Sequence, residues 1–293
     1  MCALADKSDK EAKDFYWKGR IKPSSISLNM CIEEYQKTCD QYKKFPIKLR
    51  MKFEFGHAIH KYIGEFFRRE CPHVYDKDVE SRIPEHVRSW YEKCQPEVPL
   101  DSPDFLVRCI MDFPAKIQGE SLVMDWKTTW QEPKTWEEFC IKPRIKDEYL
   151  AQLASYVYLY TECGYYDKYP SKFGLTFINM KMDMEKQEAW KEVYYDSAPF
   201  IEPIAHLWND LLIPATKAKL EGRFVPCTNR LCFTHGSTSN WLKIKPLDFR
   251  NLDTTTLMEE TDYTNIRPHP IVDKARLKAN EVRKTEDIRS HYG

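Results

Sequence analysis

The sequence predicts an α/β protein in which a mixed central β-sheet is flanked by helices. Helical and extended patterns follow one another in the order helix, helix, strand, strand, helix, strand, strand, helix, and this order is typical of α/β and α+β cores. Apolar residues make up 42% of the chain, which is enough to build such a core. Glycine is scarce, at 9 of 293 residues, and no glycine-rich nucleotide-binding motif is present.

The first half of the chain supplies two helices and a hairpin. A serine-capped helix is expected over 24–42 and a stronger one over 50–69. The second carries one apolar stripe at helical spacing, formed by Phe55, Ile59, Tyr62, Ile63 and Phe66. Strands over 105–113 and 121–128 are joined by a short link through Gly119, which favours an antiparallel hairpin.

The second half alternates between helix and strand. Residues 129–148 hold two prolines and a basic cluster, which favours a loop. The remaining expected elements are a helix over 147–162, strands over 172–183 and 188–196, and a helix over 200–221.

Composition sets the expected domain organisation and location. We expect a flexible N-terminal arm over 1–20, one folded domain over 21–225, and an irregular C-terminal extension with a charged tail over 226–293. The start of the sequence lacks the features of a signal peptide, and no window approaches 18 apolar residues. These features predict reduced cysteines, no membrane partner and a cytoplasmic location, which is the host cytoplasm if the protein is encoded by a phage.

The charge balance excludes a strongly basic protein. The chain has 45 basic and 45 acidic residues, so its formal net charge is zero. A structural nucleoprotein factor is expected to be markedly basic, and this chain is not. A nuclease is still allowed, because it needs only a local positive groove around an acidic site that binds metal.

The segment from Leu122 to Lys127 poses the main functional question. An apolar run leads directly into Asp125, Trp126 and Lys127, and burying charge is costly unless it is paired or binds a metal. Because side chains alternate along a strand, Asp125 and Lys127 point to one face, while Trp126 points to the other, towards a core. Asp112 closes the neighbouring strand, so the two carboxylates are expected to converge at one edge of the sheet.

Two interpretations of this acid and base remain open from the residues alone. The pair can be a solvated ion pair at a strand end, which contributes little. Alternatively, Asp112 and Asp125 form half of a metal site, since two carboxylates with few other ligands suit Mg²⁺ or Mn²⁺. Such an ion polarises a phosphoryl oxygen, and Lys127 beside it can orient water and balance charge on phosphate.

Four motifs carry a resemblance to a known superfamily. Asp112, followed 13 residues later by Asp125 and then by Lys127, resembles the D…(D/E)xK signature of the PD-(D/E)XK nucleases. GHAIH, ending at His60, resembles the G-x-x-x-H motif of the RecB-like exonuclease branch. MDWKTTW resembles its DYK[T/S] core, and QLASY, residues 152–156, resembles its Q-x-x-x-Y motif. The segment from Ser25 to Cys39 loosely resembles the opening of CRISPR-associated and AddB-type relatives.

The resemblance implies a restriction-endonuclease-like core and a role for each matching residue. Asp112, Asp125, a ring nitrogen of His60 and the backbone carbonyl of Trp126 would hold Mg²⁺ or Mn²⁺. Lys127 would serve the attacking water. Gln152 and Tyr156, which share a helical face, would support the site or touch DNA, although they can also be ordinary residues of a helix face.

Some members of this branch carry an iron–sulfur cluster held by four cysteines. Cys39 matches the first of these, but the later part of this chain offers only Cys227 and Cys232. His235 is the nearest substitute for a missing ligand. Because the cysteine set is incomplete, we do not expect an iron–sulfur cluster, and a zinc site is expected even less.

The sequence therefore predicts an Mg²⁺- or Mn²⁺-dependent deoxyribonuclease that hydrolyses phosphodiester bonds. An exonuclease acting on single-stranded DNA or duplex ends is expected, in recombination, repair or phage DNA metabolism, and its partner can be a helicase or a recombination protein. The alternative is a nuclease fold that binds DNA ends or docks a partner without cleaving.

Overall fold

The structure, a computed structural model, describes residues 20–38, 47–183, 187–232 and 234. The helices are α1 (Ile32–Thr38), α2 (Ile47–Glu70), α3 (Lys77–Ser81), α4 (Glu85–Cys94), α5 (Pro133–Ile141), α6 (Asp147–Glu162), α7 (Ala198–His206) and α8 (Ile213–Leu220). A π-helical stretch, Leu207–Leu212, joins α7 to α8. The strands are β1 (Val98–Ser102), β2 (Val107–Met111), β3 (Phe113–Ile117), β4 (Glu120–Thr129), β5 (Lys172–Asn179) and β6 (Trp190–Asp196).

The sheet that organises the described residues has four strands in the order β3-β4-β5-β6. The β4–β5 pair is parallel, whereas β3–β4 and β5–β6 are antiparallel. The chain passes from β4 to its parallel neighbour β5 through α5 and α6, as a parallel connection requires a crossover. The predicted mixed sheet flanked by helices is therefore confirmed.

Both faces of this sheet are covered. On one face, Ile63 and Phe67 of α2 pack with Met124 and Trp126 of β4, and the Phe67 and Trp126 rings stack with their centroids 5.7 Å apart. On the other face lies α6, which is buried without a break from Leu150 to Tyr160. A helix that is buried all round belongs in the core of the fold, so β4 is held between α2 and α6.

Several expected elements need correction. The expected single strand over 105–113 is two strands, β2 and β3, which are interrupted at Asp112. The expected loop over 129–148 contains α5, where Pro133 takes the first helical position that suits proline. The helix over 24–42 is reduced to a 3₁₀ turn, Pro23–Ser25, and to α1, and residues 39–46 lie outside the described residues.

The apolar stripe on α2 was also predicted wrongly in part. Ile63 is buried and Ile59 packs against the core, but Phe55 and Tyr62 are 51% and 62% exposed. Phe67, which lies four residues after Ile63, takes the core position instead. The sheet covers only one side of α2, so the helical period alone does not identify which apolar residues are buried.

The expected domain boundaries remain predictions. Residues 1–19 and 235–293 lie outside the described residues, so the arm and the charged tail are not described. The start of the expected extension does contact the domain, since Asn229 donates hydrogen bonds to the carbonyls of Leu28 and Met30. No helix in the described ranges is long and apolar enough to cross a membrane.

Candidate active site

The two acids predicted to converge lie on adjacent strands. Asp112 sits between β2 and β3, and the register that pairs Phe113 with Met124 places it beside Asp125 of β4. The Asp112 Oδ2 atom accepts the backbone N–H of Trp126 at 3.0 Å. The break between β2 and β3 therefore turns this carboxylate towards β4.

Asp125 and Lys127 lie on the face of β4 opposite the Trp126 ring, as the alternation of a strand requires. Lys127 Nζ lies 2.5 Å from Asp125 Oδ2. The Asp125 side chain is 1% exposed and that of Lys127 18% exposed, so this is a buried ion pair and the solvated alternative does not apply. A buried pair of this kind must be satisfied by further hydrogen bonds, because its desolvation is costly.

Gln152 of α6 supplies those hydrogen bonds. Its Nε2 atom donates to Asp125 Oδ1 at 3.1 Å, and its Oε1 atom accepts from Lys127 Nζ at 3.2 Å. The same Nε2 atom lies 2.9 Å from the hydroxyl oxygen of Tyr156, to which it also donates. Gln152 thus bridges the acid and the base and holds both against α6.

His60 reaches the site from α2. Its Nδ1 atom lies 3.2 Å from Asp112 Oδ2, and both side chains are largely buried. The other ring nitrogen, Nε2, is buried and has no hydrogen-bond partner among the described residues. A buried imidazole nitrogen without a partner is a ligand atom available to a metal ion.

Burial and the neighbouring charges shift the pKa values of the two acids in opposite directions. Burial raises the pKa of Asp125 to about 6 in spite of the opposing charge of Lys127. Burial acts on Asp112 in the same sense, but its hydrogen bond to His60 and the charges of His60 and Lys127 hold its pKa below the ordinary value. Carboxylates with divergent pKa values in one cleft are typical of catalytic sites.

A third acid lies close to this pair and was not predicted from the sequence. Burial raises the pKa of Glu97 to about 7, with a smaller contribution in the same direction from the charge of Asp112. Glu97 follows Pro96, whose ring packs against Gly64, one helical turn after His60. A Cβ atom on Gly64 would lie 2.7 Å from Pro96 Cγ, so only glycine lets the segment that carries Glu97 approach α2 this closely.

One face of α6 contacts both the Asp125–Lys127 pair and the backbone next to Asp112. Gln152, Tyr156 and Tyr160 follow one another at four-residue spacing. The Tyr160 hydroxyl accepts the backbone N–H of Met111 at 3.1 Å and donates to the carbonyl of Val98. Since Met111 directly precedes Asp112, Tyr160 fixes the backbone that carries this acid, while Gln152 holds Asp125 and Lys127.

The donor set fits a divalent cation. Asp112 and Asp125 offer carboxylate oxygens, which are hard ligands that Mg²⁺ and Mn²⁺ prefer. The Nε2 atom of His60 is the buried nitrogen described above. Glu97 adds a further carboxylate beside Asp112, since the antiparallel register that pairs Val98 with Met111 brings these two acids together.

The residues that the nuclease resemblance assigned to the site all come together here, namely His60, Asp112, Asp125, Trp126, Lys127, Gln152 and Tyr156. Their roles remain predictions. Tyr160 could have been found by extending the Gln152–Tyr156 spacing by one more step. Glu97 has no such signal, because it comes from a proline-rich stretch without periodicity.

No protein-family model matches the sequence, and no curated protein matches it. Among solved structures, the chain is similar to the crystal structure of an alkaline exonuclease (LHK-Exo) from Laribacter hongkongensis, with 13% identity, a TM-score of 0.35, and coverage of 72% of this chain and 93% of that chain. The structure of LHK-Exo in complex with dAMP gives 12% identity, a TM-score of 0.31, and coverage of 71% and 93%. The exonuclease activity and the bound dAMP are properties of LHK-Exo.

Replacing Tyr160 with phenylalanine tests the support that α6 gives to Asp112. Tyr160→Phe leaves the buried N–H of Met111 without its acceptor, so the free energy of unfolding should fall by about 1–3 kcal/mol in denaturant titrations. Tyr166→Phe is the matched control, because the hydroxyl of this buried tyrosine makes only a 3.9 Å contact with the sulfur of Met111. Equal losses in the two variants would contradict the role given to Tyr160.

Proposed function

We propose that this protein is a metal-dependent DNA nuclease of the PD-(D/E)XK type. The observation that carries the proposal is the buried network in which Asp112, Asp125 and Lys127 meet a histidine with an unpartnered ring nitrogen. Two buried acids and a lysine are not needed for stability alone. Apolar residues of similar size can often replace a buried ion pair without lowering the free energy of unfolding.

Each side chain has a defined task in this proposal. Asp112, Asp125, His60 and the Trp126 carbonyl would hold Mg²⁺ or Mn²⁺. A bound divalent ion supplies Lewis-acid polarisation of the scissile phosphate. Lys127, held in place by Gln152, orients the attacking water and balances the negative charge that develops on the phosphate.

A second lysine lies close to Lys127, because both contact the ring of Tyr149. Lys127 Nζ lies 4.8 Å from the centre of the Tyr149 ring, and Lys146 Nζ lies 5.7 Å from the same centre. Lys146 is the last residue of the basic cluster that begins at Lys142. Lys142 and Lys146 are both exposed. Cations next to a metal site attract the polyanionic backbone of DNA even when the net charge of the chain is zero.

An exposed pair of aromatic rings lies at the end of β4, and we call Phe55 and Trp130 the aromatic rim. Their centroids are 6.2 Å apart, they are 51% and 37% exposed, and Lys52 Nζ lies 6.0 Å from the Trp130 ring. Trp130 follows Lys127 by three residues. Exposed rings beside a lysine offer stacking surfaces to unpaired bases, so the rim favours a substrate with single-stranded character at the site.

The finer assignment rests on the motif resemblance. We place the protein in the RecB-like branch and expect an exonuclease that acts on DNA ends in recombination, repair or phage DNA metabolism, with a helicase or recombination protein as partner. The second candidate is a nuclease fold that binds DNA ends without cleaving them. It requires that DNA binding persist in EDTA and that no divalent ion restore cleavage.

Release of label from linear DNA tests the catalytic assignment. With Mg²⁺ or Mn²⁺ the wild-type protein should degrade single-stranded or duplex DNA, and Lys127→Ala and Asp125→Ala should each reduce the rate about 100-fold or more, because each removes charge from the transition state. Lys116→Ala and Asp78→Ala are matched controls, since these residues form an exposed ion pair on the surface.

The controls should retain full activity, and circular dichroism should show that all four variants are folded. If the wild-type protein binds DNA but cleaves nothing with either metal, the assignment of nuclease activity is wrong. The non-cleaving DNA-binding alternative would then hold. Cleavage that survives Asp125→Ala would place the active site elsewhere.

Affinity for single-stranded DNA tests the aromatic rim. Trp130→Ala should weaken binding by about 5- to 150-fold in fluorescence anisotropy with Ca²⁺ in place of Mg²⁺, since one stacked base contributes about 1–3 kcal/mol. Phe224→Ala removes another exposed aromatic ring, in the segment after α8, and should leave the affinity unchanged. Equal affinities for the wild type and Trp130→Ala would show that the aromatic rim does not contact single-stranded DNA.

A further inference from the structure

Three cysteines that are distant in sequence meet on the side of the domain formed by α1. The Sγ atoms of Cys31, Cys227 and Cys232 all lie within 4.8 Å of one another. Cys31 directly precedes α1, and the other two belong to the irregular segment after α8. The sequence suggested Cys39 as the companion of Cys227 and Cys232, but Cys39 lies outside the described residues and Cys31 takes that place.

The segment that carries Cys227 and Cys232 is fixed to α1 by hydrogen bonds. Gln36 donates to the carbonyl of Val225 at 2.8 Å and accepts the backbone N–H of the same residue at 3.1 Å. The N–H of Cys227 donates to Glu33 Oε1 at 3.0 Å. None of these three contacts involves a sulfur atom, and together they hold the backbone from Val225 to Cys227 against α1.

Asn229 braces the loop between the two later cysteines. It is buried, it donates to the carbonyls of Leu28 and Met30, and its Oδ1 atom accepts the N–H of Leu231 at 2.9 Å. The N–H of Cys232 returns to the carbonyl of Asn229 at 3.0 Å. This hydrogen bond closes a turn over residues 229–232, and the Sγ atoms on either side of it, those of Cys227 and Cys232, both lie within 4.8 Å of Cys31 Sγ.

We propose that Cys31, Cys227 and Cys232 bind a single Zn²⁺ ion that fastens the segment after α8 to the start of the domain. Thiolate sulfurs are soft ligands that select zinc over Mg²⁺ and Mn²⁺. A tetrahedral ion with Zn–S bonds of about 2.3 Å needs sulfur atoms about 3.8 Å apart, which is compatible with the observed upper limit of 4.8 Å.

The spacing and number of the ligands favour one ion over an iron–sulfur cluster. The thiolates of a cluster bind different iron atoms, so they lie farther apart than thiolates that share one ion, and such clusters ordinarily use four cysteines. The described residues supply no fourth His, Cys, Asp or Glu atom to this group. The proposed ion would therefore take water as its fourth ligand.

A backbone hydrogen bond to sulfur supports the assignment. The N–H of Ile32 points at Cys227 Sγ with a distance of 3.4 Å. Such a donor stabilises a thiolate, which is the form that binds metal. Because residues 31 and 227 are distant in the chain, binding of one ion closes a long loop, and the binding free energy becomes folding free energy.

The metal content of the purified full-length chain tests this proposal. After expression with zinc and iron both supplied, wild type should carry one zinc per chain and neither iron nor acid-labile sulfide. Cys31→Ser, Cys227→Ser and Cys232→Ser should each lose the zinc and melt at a lower temperature. Cys140→Ser is the control: it changes a half-buried cysteine outside the cluster, and this variant should keep its zinc.

A second measurement covers variants that fail to fold. Wild type with cobalt in place of zinc should show the visible absorption of a tetrahedral ion and the charge-transfer band of thiolate–cobalt bonds. Wild type without bound metal, iron with sulfide in its place, or full zinc retention in Cys227→Ser would each overturn the proposal. The Asp125→Ala variant should keep its zinc, which separates this site from the proposed nuclease centre.

Discussion

The burial of Asp112 and Asp125 is the constraint on which the rest of the structure depends. Two carboxylates cannot remain ionised side by side in a protein interior unless cations and hydrogen-bond donors surround them. Here Lys127 supplies the cation, and Nδ1 of His60, the N–H of Trp126 and the amide of Gln152 supply the hydrogen-bond donors. In the proposed enzyme, this is also the arrangement that receives a divalent ion and a phosphate.

The fold provides these groups from both sides of one strand. α2 brings His60 to the site and packs its apolar face on Trp126, while α6 brings Gln152 to the face of Asp125. β4 is therefore fixed on both faces, which limits the freedom of the acid and the base that it carries. Rigid support of this kind is what a site needs when its geometry must survive the binding of charged ligands.

Much of this could be predicted from local pattern. The bounds of α6 agree with its apolar run and its acidic first turn, and β4 is marked by the run before Asp125. The break between β2 and β3 could not be predicted, because both strands are apolar and only the sheet register separates them. Glu97 and Cys31 were missed for a similar reason, since each reaches its neighbours through contacts between segments distant in sequence.

The position of a bound metal ion tests the proposed nuclease centre directly. Crystals soaked in Mn²⁺ should show an anomalous peak within coordination distance of the carboxylates of Asp112 and Asp125 and of Nε2 of His60. The Lys127 ammonium should then lie beside the ion and no longer be the main partner of Asp125. A map in which Mn²⁺ is absent from this position, with the Lys127–Asp125 and His60–Asp112 pairs unchanged at saturating metal, would contradict the account.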